Sequence, residues 1–204
     1  MVILPDQGWV WVSVPKSGTH TMYDVLERSY PTSFRGSHFH CRRPAKEWEH
    51  LPRFVVVRNP YRRAVSLWWH LLHRLHQDRR RPDWVEAIGD LTCEEFCCWL
   101  VTVGQDPPQC CAAGLLRNQA TWLARVEPKR VLHIEHLDAE LPSLGLDPAP
   151  QASRALSSSN LENDGAEYGD WRTHMSAKAA KAALEWSRPD FEQYEYSTDL
   201  DDAG

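Results

Sequence analysis

A three-layer α/β fold, with a central and mainly parallel β-sheet flanked by helices, is predicted by three observations. Short apolar runs alternate with stretches of helical period along the chain. Two of those runs, residues 9–14 (WVWVSV) and 53–57 (RFVVV), are each followed at once by a turn and then an amphipathic segment. No internal repeat and no linker interrupts the 204 residues, so a single domain over 1–204 is expected.

The elements follow in order. Residues 9–14 read as a buried strand, 15–21 (PKSGTHT) as a turn of small polar residues. Met22, Val25 and Leu26 then share one helical face. A second short strand is expected near 33–36, and Arg53–Val57 as a clear buried one. Asn59 and Pro60 come next, an N-cap and a first helical position. The helix they open carries Val65, Trp68, Leu72 and Leu75 on its apolar side. It reaches the basic run 79–81 and stops at Pro82. Helices are expected over 91–103 and 115–126, and a strand over 130–134 with a helical turn through Leu137. A long loop spans 147–169, and an Ala- and Lys-rich helix 176–186.

Composition removes several classes. The net charge of −5 argues against general nucleic-acid binding, which needs a basic face, so an anionic ligand requires a locally basic site. No apolar run spans a bilayer, and no signal-peptide pattern opens the chain, which predicts a cytoplasmic protein without a membrane partner. The six cysteines are Cys41, Cys93, Cys97, Cys98, Cys110 and Cys111. Two adjacent pairs make a poor disulfide framework, and no paired C-x-x-C spacing supports zinc, so buried thiols and no metal site are expected.

The turn 15–21 carries the strongest chemical signal. It lies between a strand's carboxyl end and a helix N-terminus, where ligands of parallel sheets bind and where backbone N–H groups and the helix dipole favour anions. Lys16 adds positive charge. Ser17, Thr19 and Thr21 add hydroxyls, and Gly18 permits close approach of backbone to a phosphate. The turn is not a Walker A loop, because Lys16 precedes Gly18 by two positions instead of following a glycine. At the end of the strand 53–57 stands Arg58, where a P-loop nucleotidase holds an acidic metal ligand. A guanidinium there suits a second phosphate, with Ser66 two turns into the next helix.

With these two motifs in place, the chain resembles the PAPS-dependent sulfotransferases (PAPS is 3′-phosphoadenosine 5′-phosphosulfate), nearest in pattern to the carbohydrate branch. PKSGTHT looks like the family's 5′-phosphosulfate loop, and VVVRNPYRRAVSLWW like its 3′-phosphate motif. HIEHLDAEL and WSRPDFEQYEY are similar to its late strand and C-terminal helix. The resemblance implies a P-loop-like fold and transfer of a sulfuryl group from PAPS to an acceptor hydroxyl, releasing 3′,5′-ADP without a metal. It implies that Lys16 contacts the phosphosulfate and that Pro15, Ser17, Gly18, Thr19, His20 and Thr21 surround the 5′-phosphate. It implies as well that Arg58 and Ser66 hold the 3′-phosphate. His20 departs from the family, which often has a small residue there.

A base must take the acceptor's proton. His38 and His40 are the candidates: they lie between the two motifs, point to one side in extended chain, and titrate near neutral pH. The family places a catalytic His here, and its carbohydrate branch can show an H-x-H pair. His70, His73, His76, His133, His136 and His174 are expected at helix surfaces or in packing, and Glu135 as a cap on the turn after it. Arg74 and the run 79–81 either attract an anionic acceptor or form a solvated helix end. The acceptor is expected to be a glycan or a small molecule. Two other readings share the loop: a nucleotide or small-molecule kinase, and a non-catalytic module that binds 3′,5′-ADP.

Overall fold

A computed structural model describes residues 1–36, 42–72, 88–103, 111–147 and 169–202. The chain divides into two compact units: Met1–Arg58 with Leu123–Asn163, and Asn59–Trp122 with Asp164–Gly204. The architecture is α/β, with a five-stranded mixed sheet and six α-helices among the described residues.

The first unit holds the sheet. Its strands are β1 (Val2–Leu4), β2 (Trp9–Val12), β3 (Phe34–Arg35), β4 (Arg53–Val57) and β5 (Arg130–His133), in spatial order β3-β1-β2-β4-β5. Strands β2, β4 and β5 are parallel, whereas β1 pairs antiparallel with both β2 and β3. The expected mainly parallel sheet is therefore only partly parallel. The difference comes from β1, three residues long and too short to show a period. It reaches β2 through a tight turn in which the N–H of Gly8, at φ 71°, donates to the Pro5 carbonyl. Antiparallel neighbours accept such a short connection; parallel ones need a crossover.

The predicted strand 9–14 ends as β-structure at Val12, although Ser13 and Val14 remain buried. Helix α1 (Thr19–Ser29) follows. Its buried face, Met22, Tyr23, Val25 and Leu26, packs with Val2, Trp11, Phe54, Val56 and Leu132. Alternation along the strands puts these residues on one face of the sheet. After β5 come a 3₁₀ turn (Ile134–His136) and α5 (Leu137–Glu140), whose Leu137 joins the same core.

The second unit is helical: α2 (Pro60–His70), α3 (Cys93–Val103), α4 (Gln119–Leu123, whose last residue falls in the first unit) and α6 (Ala177–Gln193). Asn59 caps α2 as expected, its Oδ1 accepting from the N–H groups of Tyr61 (3.0 Å) and Arg62 (3.3 Å). Thr92 and Glu95 form a capping box at the start of α3. The single helix expected over 115–126 is instead a 3₁₀ segment, Cys111–Leu116, and then α4. Asn118 interrupts it, its Oδ1 accepting from the Thr121 N–H at 2.8 Å to start a new helix. Helix α6 outruns the expected end at 186. It passes Pro189 by a kink at Ser187 (φ −110°), because proline cannot donate to the carbonyl one turn back.

Candidate functional site

The segment 13–18 turns from β2 into α1. Its backbone enters the left-handed region twice, at Lys16 (φ 66°) and at Gly18 (φ 75°, ψ 32°). Among the described residues only Glu127 and Glu195 join Lys16 as non-glycine residues with positive φ. Such a backbone is uncommon for a side-chain-bearing residue and collects at functional turns. The turn is braced internally. The Ser17 N–H donates to the Val14 carbonyl (3.3 Å), as does the Thr19 hydroxyl (3.3 Å), and the Thr19 Oγ1 also meets Ser13 Oγ at 2.8 Å. Ser13 is fully buried, and its part in this brace was not read from the sequence.

Helix α1 begins with Gly18 as its N-cap. The amino end of this 11-residue helix, uncapped by any side chain and without an acid in its first turn, carries the polarity that favours an anion. Pro15 and Ser17 are buried, Lys16, Thr19 and Thr21 half-buried, and His20 exposed. Gly18 has a second reason to be glycine. A Cβ built on it would lie 2.0 Å from Ile134 Cδ1, so the Ile134 side chain occupies that space.

Arg58 stands immediately after β4 and is only 2 % exposed. Strands β2 and β4 are neighbours and parallel, with Val12 opposite Val55. Three residues past this last pair come Pro15 on one chain segment and Arg58 on the other, so both motifs issue from the same end of the sheet. Ser66 lies in α2, in the second unit, and is 3 % exposed. His38 and His40 fall outside the described residues, as do His73, Arg74, His76 and the run 79–81. Strand β3 runs in the same direction as β2, both being antiparallel to β1. Gly36, the last described residue before the histidines, thus stands beyond the same sheet end as the turn 13–18.

Two polar clusters had no signal in the sequence. At the end of β5, His133 Nδ1 lies 3.0 Å from Glu140 Oε1, and the His133 N–H donates to the other carboxylate oxygen. The cap expected of Glu135 is not formed, since neither short helix after β5 has a side-chain cap; Glu140 instead satisfies the N–H at the end of β5. Seven residues separate the pair, and only the chain reversal after β5 joins them. In the second unit, Asp190 accepts from the N–H groups of Gln119 (2.9 Å) and Ala120 (2.7 Å), with Arg63 nearby. Burial pushes the Asp190 carboxyl up, against the opposing pull of Arg63 and these donors. Arg63 donates to the Arg117 carbonyl at 2.9 Å and lies over the Trp186 ring.

The cysteine expectation can be followed for part of the set. Cys93 and Cys97 are buried on one face of α3, and the hydrogen bond to Cys93, then burial, push the Cys97 thiol well up. A thiol so held stays protonated and is a poor nucleophile or metal ligand. Among the described residues no three His, Cys, Asp or Glu side chains gather as a metal site, and no helix is long and apolar enough to cross a membrane. Compared with known proteins, the chain matches no family model, no curated protein and no solved structure.

Proposed function

We propose that the protein is a PAPS-dependent sulfotransferase of P-loop-like, three-layer architecture, acting as one domain over 1–204 on the hydroxyl of a glycan or small molecule. One observation carries the reading. The left-handed turn at Lys16 and Gly18 delivers an acid-free helix N-terminus beside a strand whose carboxyl end holds a buried arginine. That arrangement fits two separated phosphates and lacks the acidic residue that a magnesium nucleotidase keeps at the same strand end.

In this reading the backbone of 16–21 and the Lys16 ammonium hold the 5′-phosphosulfate, with Pro15 shaping the turn. The Thr19 hydroxyl is spent on the Val14 carbonyl, so Thr19 contributes its N–H, as does exposed His20. Arg58 and Ser66 take the 3′-phosphate. PAPS supplies a sulfuryl group on a good leaving group, so the protein must orient an acceptor oxygen in line, accept its proton and stabilise the departing phosphate. His38 or His40 accepts the proton, and Lys16 neutralises the phosphate. No metal is needed for either step.

Calorimetry with nucleotides, in excess EDTA, tests the reading. We expect 3′,5′-ADP to bind more tightly than 5′-AMP by about 1.5–3 kcal/mol, the worth of a charge-assisted hydrogen bond. Arg58→Ala should remove most of that difference. Equal affinities in the wild-type chain would refute the 3′-phosphate assignment. Binding of ATP with Mg²⁺ in preference to 3′,5′-ADP would favour the kinase reading.

A further inference from the structure

Beside β3 the first unit contains a recess of 330 Å³, lined by Met1, Ile3, Phe34, Arg43, Glu47 and Trp48 among others. Its place follows from the strand register. Ile3 pairs with Phe34, so their side chains share the sheet face opposite that of Val2, which pairs with Arg35 and packs with Trp11 and Tyr23. The 3₁₀ turn Lys46–Trp48 brings Trp48 over this edge, its ring 5.5 Å from that of Phe34 in an edge-to-face contact.

Three features define the chemistry that the recess offers a ligand. Phe34 is the one large apolar side chain that is exposed among the described residues, at 39 %, and it opens onto the recess. An exposed aromatic ring in a concave surface offers a flat apolar face at little conformational cost. Next to it stand a guanidinium, Arg43, and a carboxylate, Glu47, which also accepts from Trp48 Nε1 at 2.8 Å. Arg35, the other cation in the lining, is bound to Glu27, so the wall carries no strong net charge. A ligand that fits has an apolar face for the ring and several neutral groups that both donate and accept. A phenol meets the first demand but has one hydroxyl, and an organic anion meets an unwelcome carboxylate. A neutral hexopyranose meets both demands, its C–H face on Phe34 and its hydroxyls on Arg43 and Glu47. The volume lies at the small end of ligand sites, which suits one ring.

The recess also reaches the sheet end from which the turn 13–18 issues, since Gly36 lines it. Strand β3 is separated from β2 by β1 alone, about 10 Å at the usual inter-strand spacing. Its carboxyl end at Gly36 emerges where β2 delivers the turn 13–18. We infer that this recess is the acceptor subsite and that it holds a neutral hexopyranose ring; the acceptor role rests on the sulfotransferase reading above.

Saturation-transfer NMR with methyl hexopyranosides (gluco, galacto and manno) and with 4-nitrophenol tests it, alongside 3′,5′-ADP calorimetry on the same samples. At least one pyranoside should bind, with transfer strongest at ring C–H protons. Phe34→Ala, at an exposed position where folding is not at risk, should weaken it about threefold to tenfold. Arg43→Ala should weaken it as well, and neither should change the 3′,5′-ADP affinity. Absence of pyranoside binding in a chain that binds 3′,5′-ADP overturns the subsite and leaves the donor reading standing. Binding of 4-nitrophenol alone, lost in Phe34→Ala, also overturns it, in favour of a phenolic acceptor. Pyranoside binding without any 3′,5′-ADP binding removes the acceptor role together with the donor reading.

Discussion

Gly18 answers to two constraints at once. Its φ of 75° is costly for any residue with a Cβ, and the space a Cβ would fill belongs to Ile134. Gly18→Ala should therefore destabilise the protein by about 1–2 kcal/mol from the backbone and a further 1–3 kcal/mol from overpacking. The two parts can be separated. Ile134→Val removes the Cδ1 atom at 2.0 Å, so urea denaturation of the double variant should recover much of the second part and none of the first. A double variant no more stable than Gly18→Ala alone would show that Ile134 yields freely. The reading of Gly18 as a phosphate-side glycine came from the motif; that its missing Cβ faces Ile134 came only from the fold, because 116 residues separate the two.

Helix boundaries were legible where the cap lies beside the element it caps. Asn59-Pro60 announced α2 through neighbours in sequence. The start of α4 inside the helix expected over 115–126 was harder to read, because the N–H groups of Gln119 and Ala120 are satisfied by Asp190, 71 and 70 residues away on α6. The kink at Ser187 and Pro189 belongs to the stretch that carries Asp190, and the Ser187 hydroxyl covers the Ala183 carbonyl there. Asp190→Ala leaves Gln119, Ala120 and Arg63 facing an apolar methyl. We expect a loss of about 3–5 kcal/mol, as for breaking a buried charged pair. Asp190→Asn keeps one acceptor oxygen and should lose less. Chemical denaturation of both variants checks the order; equal, small losses would mean that water replaces the carboxylate.

The turn 13–18, Arg58 and Gly36 issue from one end of a single sheet because β2, β4 and β3 run in the same direction. On the proposed sulfotransferase reading, the phosphate is held at that end and the acceptor must lie in line with it, which is why the reading assigns the base to the stretch after Gly36. Replacing the true base among His38 and His40 with Ala should lower kcat by about 10²–10⁴. Affinity for 3′,5′-ADP should hold, since the proposed reading assigns neither histidine to the phosphates. The wild-type rate should rise with pH through the imidazole titration, because only the neutral ring accepts a proton. Turnover and nucleotide affinity of both single variants and the double variant decide it. A folded double variant with near-normal turnover places the base elsewhere, and His133, its Nδ1 beside Glu140, is then the next imidazole to replace.

The sequence by itself determined the strand–turn–helix order, the small-residue turn after β2, the arginine at the end of β4 and the core face of α1. These are written in periods and short spacings that any local window contains. The tertiary structure alone decided the antiparallel strand β1, the Gly18–Ile134 contact, the His133–Glu140 pair, the Asp190 cap on α4 and the aromatic recess beside β3. The physical reason is common to all of them. Strand direction, hydrogen-bond satisfaction and side-chain volume are settled between elements in contact, and no period along one element encodes which partner it meets.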